Sequence, residues 1–188
     1  MATRHFMFFL SISVFAGTAF AQSQGAQPYA GFERREVASL SADDLVEIRA
    51  GRGWGLALPA ELNGVPGPIH LLELAKEIGL TKAQIAGLAD MRDRMRRNAI
   101  EAGAAFIAAE QALGAAFADG PPDAATLALR VGASEDARAK LRLAHLAVHL
   151  ETLSLLTQAQ IAAYNRLRGY GVENGGGTTP DRHVHRRH

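Results

Sequence analysis

Leu80-Thr81-Lys82-Ala83-Gln84-Ile85-Ala86 is matched 76 residues further on by Leu156-Thr157-Gln158-Ala159-Gln160-Ile161-Ala162. Each copy has the chemistry of a helix start. The Thr side chain accepts a hydrogen bond from the amide three residues on, and the Gln reaches back to the Thr amide, which together make a capping box. The Leu ahead of the Thr is placed to pack on the Ile at the fourth helical position, as a hydrophobic staple. A threonine cap of this kind contributes about 1 kcal/mol. Two helices are therefore expected to open at Lys82 and Gln158.

Working outward from the first copy, Leu88, Met91, Met95, Ala99, Ala102, Phe106, Ala109, Leu113 and Phe117 recur at three- and four-residue steps. Such a stripe marks one buried helix face, and a helix from Lys82 to about Phe117 would span roughly 50 Å. Asp119-Gly120-Pro121-Pro122 is a turn signal, so the chain is expected to fold back as an antiparallel helical hairpin. The return helix, from about Asp123 to Leu155, carries two stripes: Leu141, His145, Val148, Thr152 and Leu155, and beside them Leu143, Leu146, Leu150 and Leu153. Two stripes predict burial on two sides, and Gly132 marks a weak point for a kink. The last helix, Gln158 to Arg168, stops at Gly169.

Upstream of the first copy, Pro68 suits the first turn of a short helix running to about Ile78, ended by Gly79. Gly51 to Pro68 holds five Gly and three Pro and reads as a loop, pinned by Trp54, Leu56 and Leu58. Ser41-Ala42-Asp43-Asp44 caps a further helix carrying Leu45 and Ile48. Residues 22–40 show no sustained periodicity and read as a flexible leader; 171–188 read as a disordered His-rich tail. At the N-terminus Arg4 and His5 precede the apolar run Phe6 to Ala16, and Ala19-Phe20-Ala21 supplies the small residues of a signal-peptidase site. Residues 1–21 are thus expected to be a cleaved signal peptide and the chain to be exported to the periplasm. The apolar run falls short of the about 20 residues a membrane span needs.

Composition narrows the field. The formal charge is +1, and falls to 0 without Arg4, whereas a nucleic-acid partner calls for a strongly basic chain. There is no Cys, which removes thiol catalysis, thiolate metal sites and disulfides. Abundant Ala and Leu with few aromatics favour an all-α fold. No residue set has the context of a nucleophile or a phosphate loop, so no enzymatic activity is expected.

The paired motif, each copy opening a helix behind an export signal, resembles the Spy/CpxP family, whose members carry two LTxxQ motifs. The likeness covers about Pro68 to Tyr170. It implies a thin, cradle-like dimer of long antiparallel hairpins with short flanking helices over residues 41–170. It also implies an ATP-independent stress chaperone of the periplasm, binding unfolded or misfolded envelope proteins; the family extends to heavy-metal-responsive sensors and scavengers, and a structural interaction module with neither activity is the third alternative. Leu80, Thr81, Gln84, Leu156, Thr157 and Gln160 are the matching motif positions.

His145 and His149 stand four apart, so their imidazoles leave one helix face a turn apart. His70 opens the short helix before the first motif, with Glu73 one turn on. His70, His145 and His149 make a candidate set for zinc, nickel or cobalt, completed by Glu73, Asp90, Asp93 or water; position 74, where the metal-sensing relatives often carry a second His, is Leu. No cofactor is required for the chaperone reading. The same imidazoles equally suit packing positions in a Leu-rich helix. His183, His185 and His188 form a loose metal-collecting tail or a solvated basic end. Met91, Arg92, Met95 and Arg96 are candidate client contacts: adaptable apolar side chains beside guanidinium groups. The dense run Arg92, Arg94, Arg96 and Arg97 also suits a solvated face, with Asp90 and Asp93 four residues ahead of Arg94 and Arg97.

Overall fold

The structure, a computed structural model, describes residues 27–118 and 120–170; the expected signal peptide and the His-rich tail lie outside them. Residues up to Ala30 belong to a unit of their own, of which the described part is a turn closed by the Ala30 amide donating to the Gln27 carbonyl at 2.9 Å. From Gly31 onward every regular element among the described residues is helical.

Helix α1 (Ala42–Arg49) is capped by Ser41, which accepts from the Asp44 amide at 3.1 Å while Asp44 accepts from the Ser41 amide at 2.9 Å. The Gly51–Pro68 stretch is mostly irregular but contains α2 (Leu58–Glu61), a single turn in which Pro59 sits where no intrahelical amide partner exists. Leu56 is buried and Trp54 donates its indole N–H to Asp44 Oδ1 at 2.7 Å, whereas Leu58 is exposed. Helix α3 (Pro68–Glu73) is shorter than its sequence predicts. The Ala75 amide takes the Leu72 carbonyl, three residues back, and the chain continues as turns to Gly79. There the Leu80 amide reaches the Ala75 carbonyl at 2.9 Å, and Gly79 adopts φ 68, a left-handed closure that favours glycine.

Helices α4 (Lys82–Ala115) and α5 (Ala124–Thr152) follow, then a 3-10 turn (Leu153–Leu155) and α6 (Gln158–Arg168). With 34 residues, α4 is about 50 Å long. Asp123 caps α5, accepting from the Thr126 amide at 2.8 Å, and α5 runs through Gly132 as one helix. No helix among the described residues is long and apolar enough to cross a membrane.

The long helices pack together: Gln84 reaches Leu155, Arg94 pairs with Glu151, and Glu110 accepts from Ser134, so the partners descend along α5 as they rise along α4. Two apolar clusters form. One joins Val37, Leu40, α1 and Leu56 to Ala99, Phe106, Ile107, Ala137 and Leu141; the other joins Leu71, Ile78, Leu88 and Tyr164. Val37 and Leu40, expected in a flexible leader, are thus core residues at 3% exposure. Two apolar residues three apart are too few to register as periodicity.

Of the two stripes on α5, the one through Leu141, His145, Val148 and Thr152 is buried. The second is not: Leu143 is 62% and Leu150 64% exposed.

Both motif copies form the expected capping boxes. They also do something that neither copy foretells. Gln84 Nε2 donates to Gln160 Oε1 at 2.9 Å and Gln160 Nε2 donates back to Gln84 Oε1 at 3.0 Å. Each amide's remaining donor goes to a backbone carbonyl, Leu155 for Gln84 and Gly79 for Gln160. Each carbonyl oxygen also accepts from its own Thr amide, Thr81 at 2.9 Å and Thr157 at 3.0 Å. The starts of α4 and α6 are locked together by two fully satisfied, half-buried amides. Leu80 and Leu156, ahead of the caps, pack against the Leu71–Tyr164 cluster.

Candidate functional site

Next to this lock the chain between α2 and α3 crosses α5 and α6 as a strap, Gly64-Val65-Pro66-Gly67. Four consecutive positions are engaged. Asn165 on α6 donates to the Gly64 carbonyl at 3.4 Å, His149 Nδ1 meets the Val65 carbonyl at 3.0 Å, and the Thr152 hydroxyl donates to the Pro66 carbonyl at 2.7 Å. At Gly67 the His149 ring lies so close that an added Cβ would stand 2.6 Å from its Cε1 and Nε2. Only glycine leaves that ring its place.

The strap begins three residues after Glu61 and ends three before His70, so fastening it to α5 brings three side chains together. His70 Nε2 lies 3.7 Å from Glu61 Oε1, and His149 Nε2 lies 3.9 Å from the same oxygen. The other ring nitrogen of each histidine is already engaged: His70 Nδ1 with Glu73 Oε2 at 2.8 Å, His149 Nδ1 with the Val65 carbonyl. Carboxylate and carbonyl oxygens accept, so the ring proton sits on Nδ1 in both. In the neutral rings the lone pair is then on Nε2, and both Nε2 atoms stand beside one carboxylate oxygen. Two imidazole nitrogens and a carboxylate are donor types that a divalent cation takes, and a carboxylate or carbonyl behind each imidazole is the arrangement that orients histidine ligands at metal sites. His149 is 4% exposed, Glu61 19% and His70 28%, so the site opens to solvent on the His70 side.

The donors stand slightly apart. Bonds of 2.0–2.1 Å in a tetrahedral shell put neighbouring donors about 3.3 Å from one another, so holding a zinc-sized ion requires Glu61 and the two imidazoles to close in. Among the described residues, no group of three or more His, Asp or Glu side chains stands close enough together, as placed, to hold a metal ion.

Of the histidines predicted as ligands, His70 and His149 meet at Glu61, while no ion pair or hydrogen bond joins His145 to any of them. His145 is 2% exposed with Nε2 unpartnered, and burial, reinforced by His149, holds its pKa below the ordinary value. Glu73 supports His70 from behind. Asp93 is engaged by Arg92 at 2.8 Å. His183, His185 and His188 lie outside the described residues. Among the expected client contacts, Met95 is a core residue at 3% exposure and Met91 packs against the Leu71–Tyr164 cluster, while Arg96 is exposed and donates to the Ala50 carbonyl at 3.3 Å. Arg94 pairs with Glu151 across the helix pair.

Glu61 is the residue that sequence reasoning missed. Its one signal was available: it is the sole carboxylate between Gly51 and Pro68. Its charge is felt by Tyr164, fully buried, whose phenol is pushed up to about 12, chiefly by burial, partly offset by the Arg168 guanidinium and reinforced by Glu61. Compared with protein-family models, with curated proteins and with solved structures, the chain finds no match, so its chemistry is read from its own residues.

Proposed function

We propose that this chain is an exported, non-enzymatic protein of the periplasm that binds a divalent transition metal as a sensor or scavenger, carried on a Spy/CpxP-like hairpin of α4 and α5 that works as a dimer. The observation that supports this reading is the meeting of two imidazole Nε2 atoms, both with their proton fixed on Nδ1, on one oxygen of Glu61. Two imidazoles and a carboxylate suit zinc, nickel or cobalt, and leave a further coordination position for water or a fourth side chain. Glu61, His70 and His149 hold the ion; Glu73 and the Val65 carbonyl orient the two rings.

Calorimetric titration with zinc tests it, using the full chain with His183, His185 and His188 each replaced by Ala to silence the tail. One zinc per chain is expected, with the heat lost in Glu61→Gln and in His149→Ala. Absence of heat in the parent chain, or heat unchanged in both variants, would overturn the reading.

A second reading is favoured by the uncovered row on α5. Leu143, Leu150 and Leu153, with the half-buried Leu146, offer an apolar strip to another copy or to an unfolded envelope protein. An ATP-independent chaperone would use that strip, and Arg92 and Arg96 on α4 would serve acidic client segments. Suppression of a denatured client's aggregation, weakened in Leu143→Gln/Leu150→Gln, is the expected outcome; suppression unaffected by that double variant would count against it.

A further inference from the structure

We infer that Thr152 is a positioning residue for the metal, setting the separation between Glu61 and the two imidazoles without touching the ion; this rests on the metal reading above. Thr152 is fully buried, and its hydroxyl stands 2.7 Å from the Pro66 carbonyl and 2.8 Å from the His149 carbonyl. With one proton shared between two acceptors, the hydroxyl clamps the strap to the very helical turn that carries His149. The strap joins Glu61, three residues before it, to His70, three residues after it, and its Val65 carbonyl holds the His149 ring. Slack in the clamp therefore moves all three donors relative to one another. The two imidazole Nε2 atoms stand 3.7 and 3.9 Å from the Glu61 oxygen, farther than the about 3.3 Å between neighbouring donors of a tetrahedral shell, so their spacing must be set closely for an ion to be held. Valine has the shape of threonine but no proton to give, so Thr152→Val removes the clamp and keeps the methyl contacts. Serine keeps the clamp.

Cobalt(II) is the probe, because its visible absorption reports the geometry of its ligands as well as their number. In the full chain with the three tail histidines replaced by Ala, Thr152→Val is expected to bind cobalt at least about tenfold more weakly, with an altered spectrum; Thr152→Ser restores both. Should Thr152→Val fail to fold, Thr152→Ala is measured in the same way. A folded Val or Ala variant with parental affinity and spectrum would overturn the inference, even if its melting temperature fell, because a purely structural role predicts that pattern. No cobalt binding by the parent chain would instead overturn the metal reading itself.

Discussion

The two apolar clusters of this helix pair differ in what their polar contacts hold. Around Phe106 and Leu141 the packing is apolar, and the polar contacts at its border, Trp54 to Asp44 and Ser134 to Glu110, hold side chains to side chains. Trp54 lies against Phe106 with ring centroids 6.0 Å apart, and Gly103 lets α1 come so near that an added Cβ would stand 2.6 Å from Ile48 Cγ2. Around Leu88 and Tyr164 the apolar cluster is bordered by directed polar contacts: the Gln84–Gln160 pair, and the strap held by His149, Thr152 and Asn165. Apolar burial is non-directional, whereas hydrogen bonds fix donor and acceptor within narrow limits of distance and angle. Donors that must stand at set separations are served by the second kind of closure, and that is where Glu61, His70 and His149 meet.

The contrast can be broken most forcefully at the apolar end. Phe106→Ala, at 4% exposure, is expected to cost about 3–5 kcal/mol in urea unfolding while leaving the zinc affinity of the folded protein unchanged. If affinity fell in step with stability, the two ends would be one cooperative unit and the distinction would fail. At the polar end, Gln84→Ala or Gln160→Ala each leaves the partner amide and a backbone carbonyl short of a contact, an expected loss of about 1–3 kcal/mol. Since each variant already strips the other's partner, the double variant should cost less than the sum, with a coupling of about 0.5–3 kcal/mol. Additive losses would mean that the two amides do not act as a pair.

The smallest effect is expected at His145, where an unpartnered ring nitrogen sits in the buried stripe of α5. His145→Leu should stabilise the metal-free protein by on the order of 1 kcal/mol. Its pH dependence has a definite sign. The folded pKa lies below the ordinary imidazole value of 6.5 because burial, and then His149, disfavour the imidazolium. The unfolded chain therefore binds the proton more readily; the His145 contribution is intact above pH 6.5 and is lost as pH falls through the folded value. Urea midpoints recorded from about pH 7 to 5 should fall less steeply in His145→Leu than in the parent. Parallel slopes would remove His145 as the source.

What could be read in the sequence was local. Ser41, Thr81 and Thr157 cap helices because the capping chemistry needs only residues three apart, and the α4 stripe is buried at Leu88, Met95, Ala99 and Phe106 because its period is that of the helix, while Phe117, expected at its end, lies past the helix and is 51% exposed. Contacts decided by residues far apart in the chain were not legible. Arg94, four residues after Asp90, finds Glu151. The mutual pairing of the motif glutamines depends on α4 and α6 starting side by side, which a capping signal does not encode. Two of the three donors of the candidate site were visible, because His70 and His149 advertise themselves by residue type. Glu61 was hidden in a stretch whose Gly and Pro content masks a one-turn helix, and its relation to His149 is fixed by strap contacts across more than eighty residues of sequence.

Diffraction from crystals of the full chain grown with zinc, recorded on both sides of the zinc absorption edge, would locate the ion without recourse to variants. A single anomalous peak lying about 2.0–2.2 Å from a Glu61 carboxylate oxygen and from Nε2 of both His70 and His149 is expected. A peak held by other side chains, with these three standing as far apart as they do now, would contradict it.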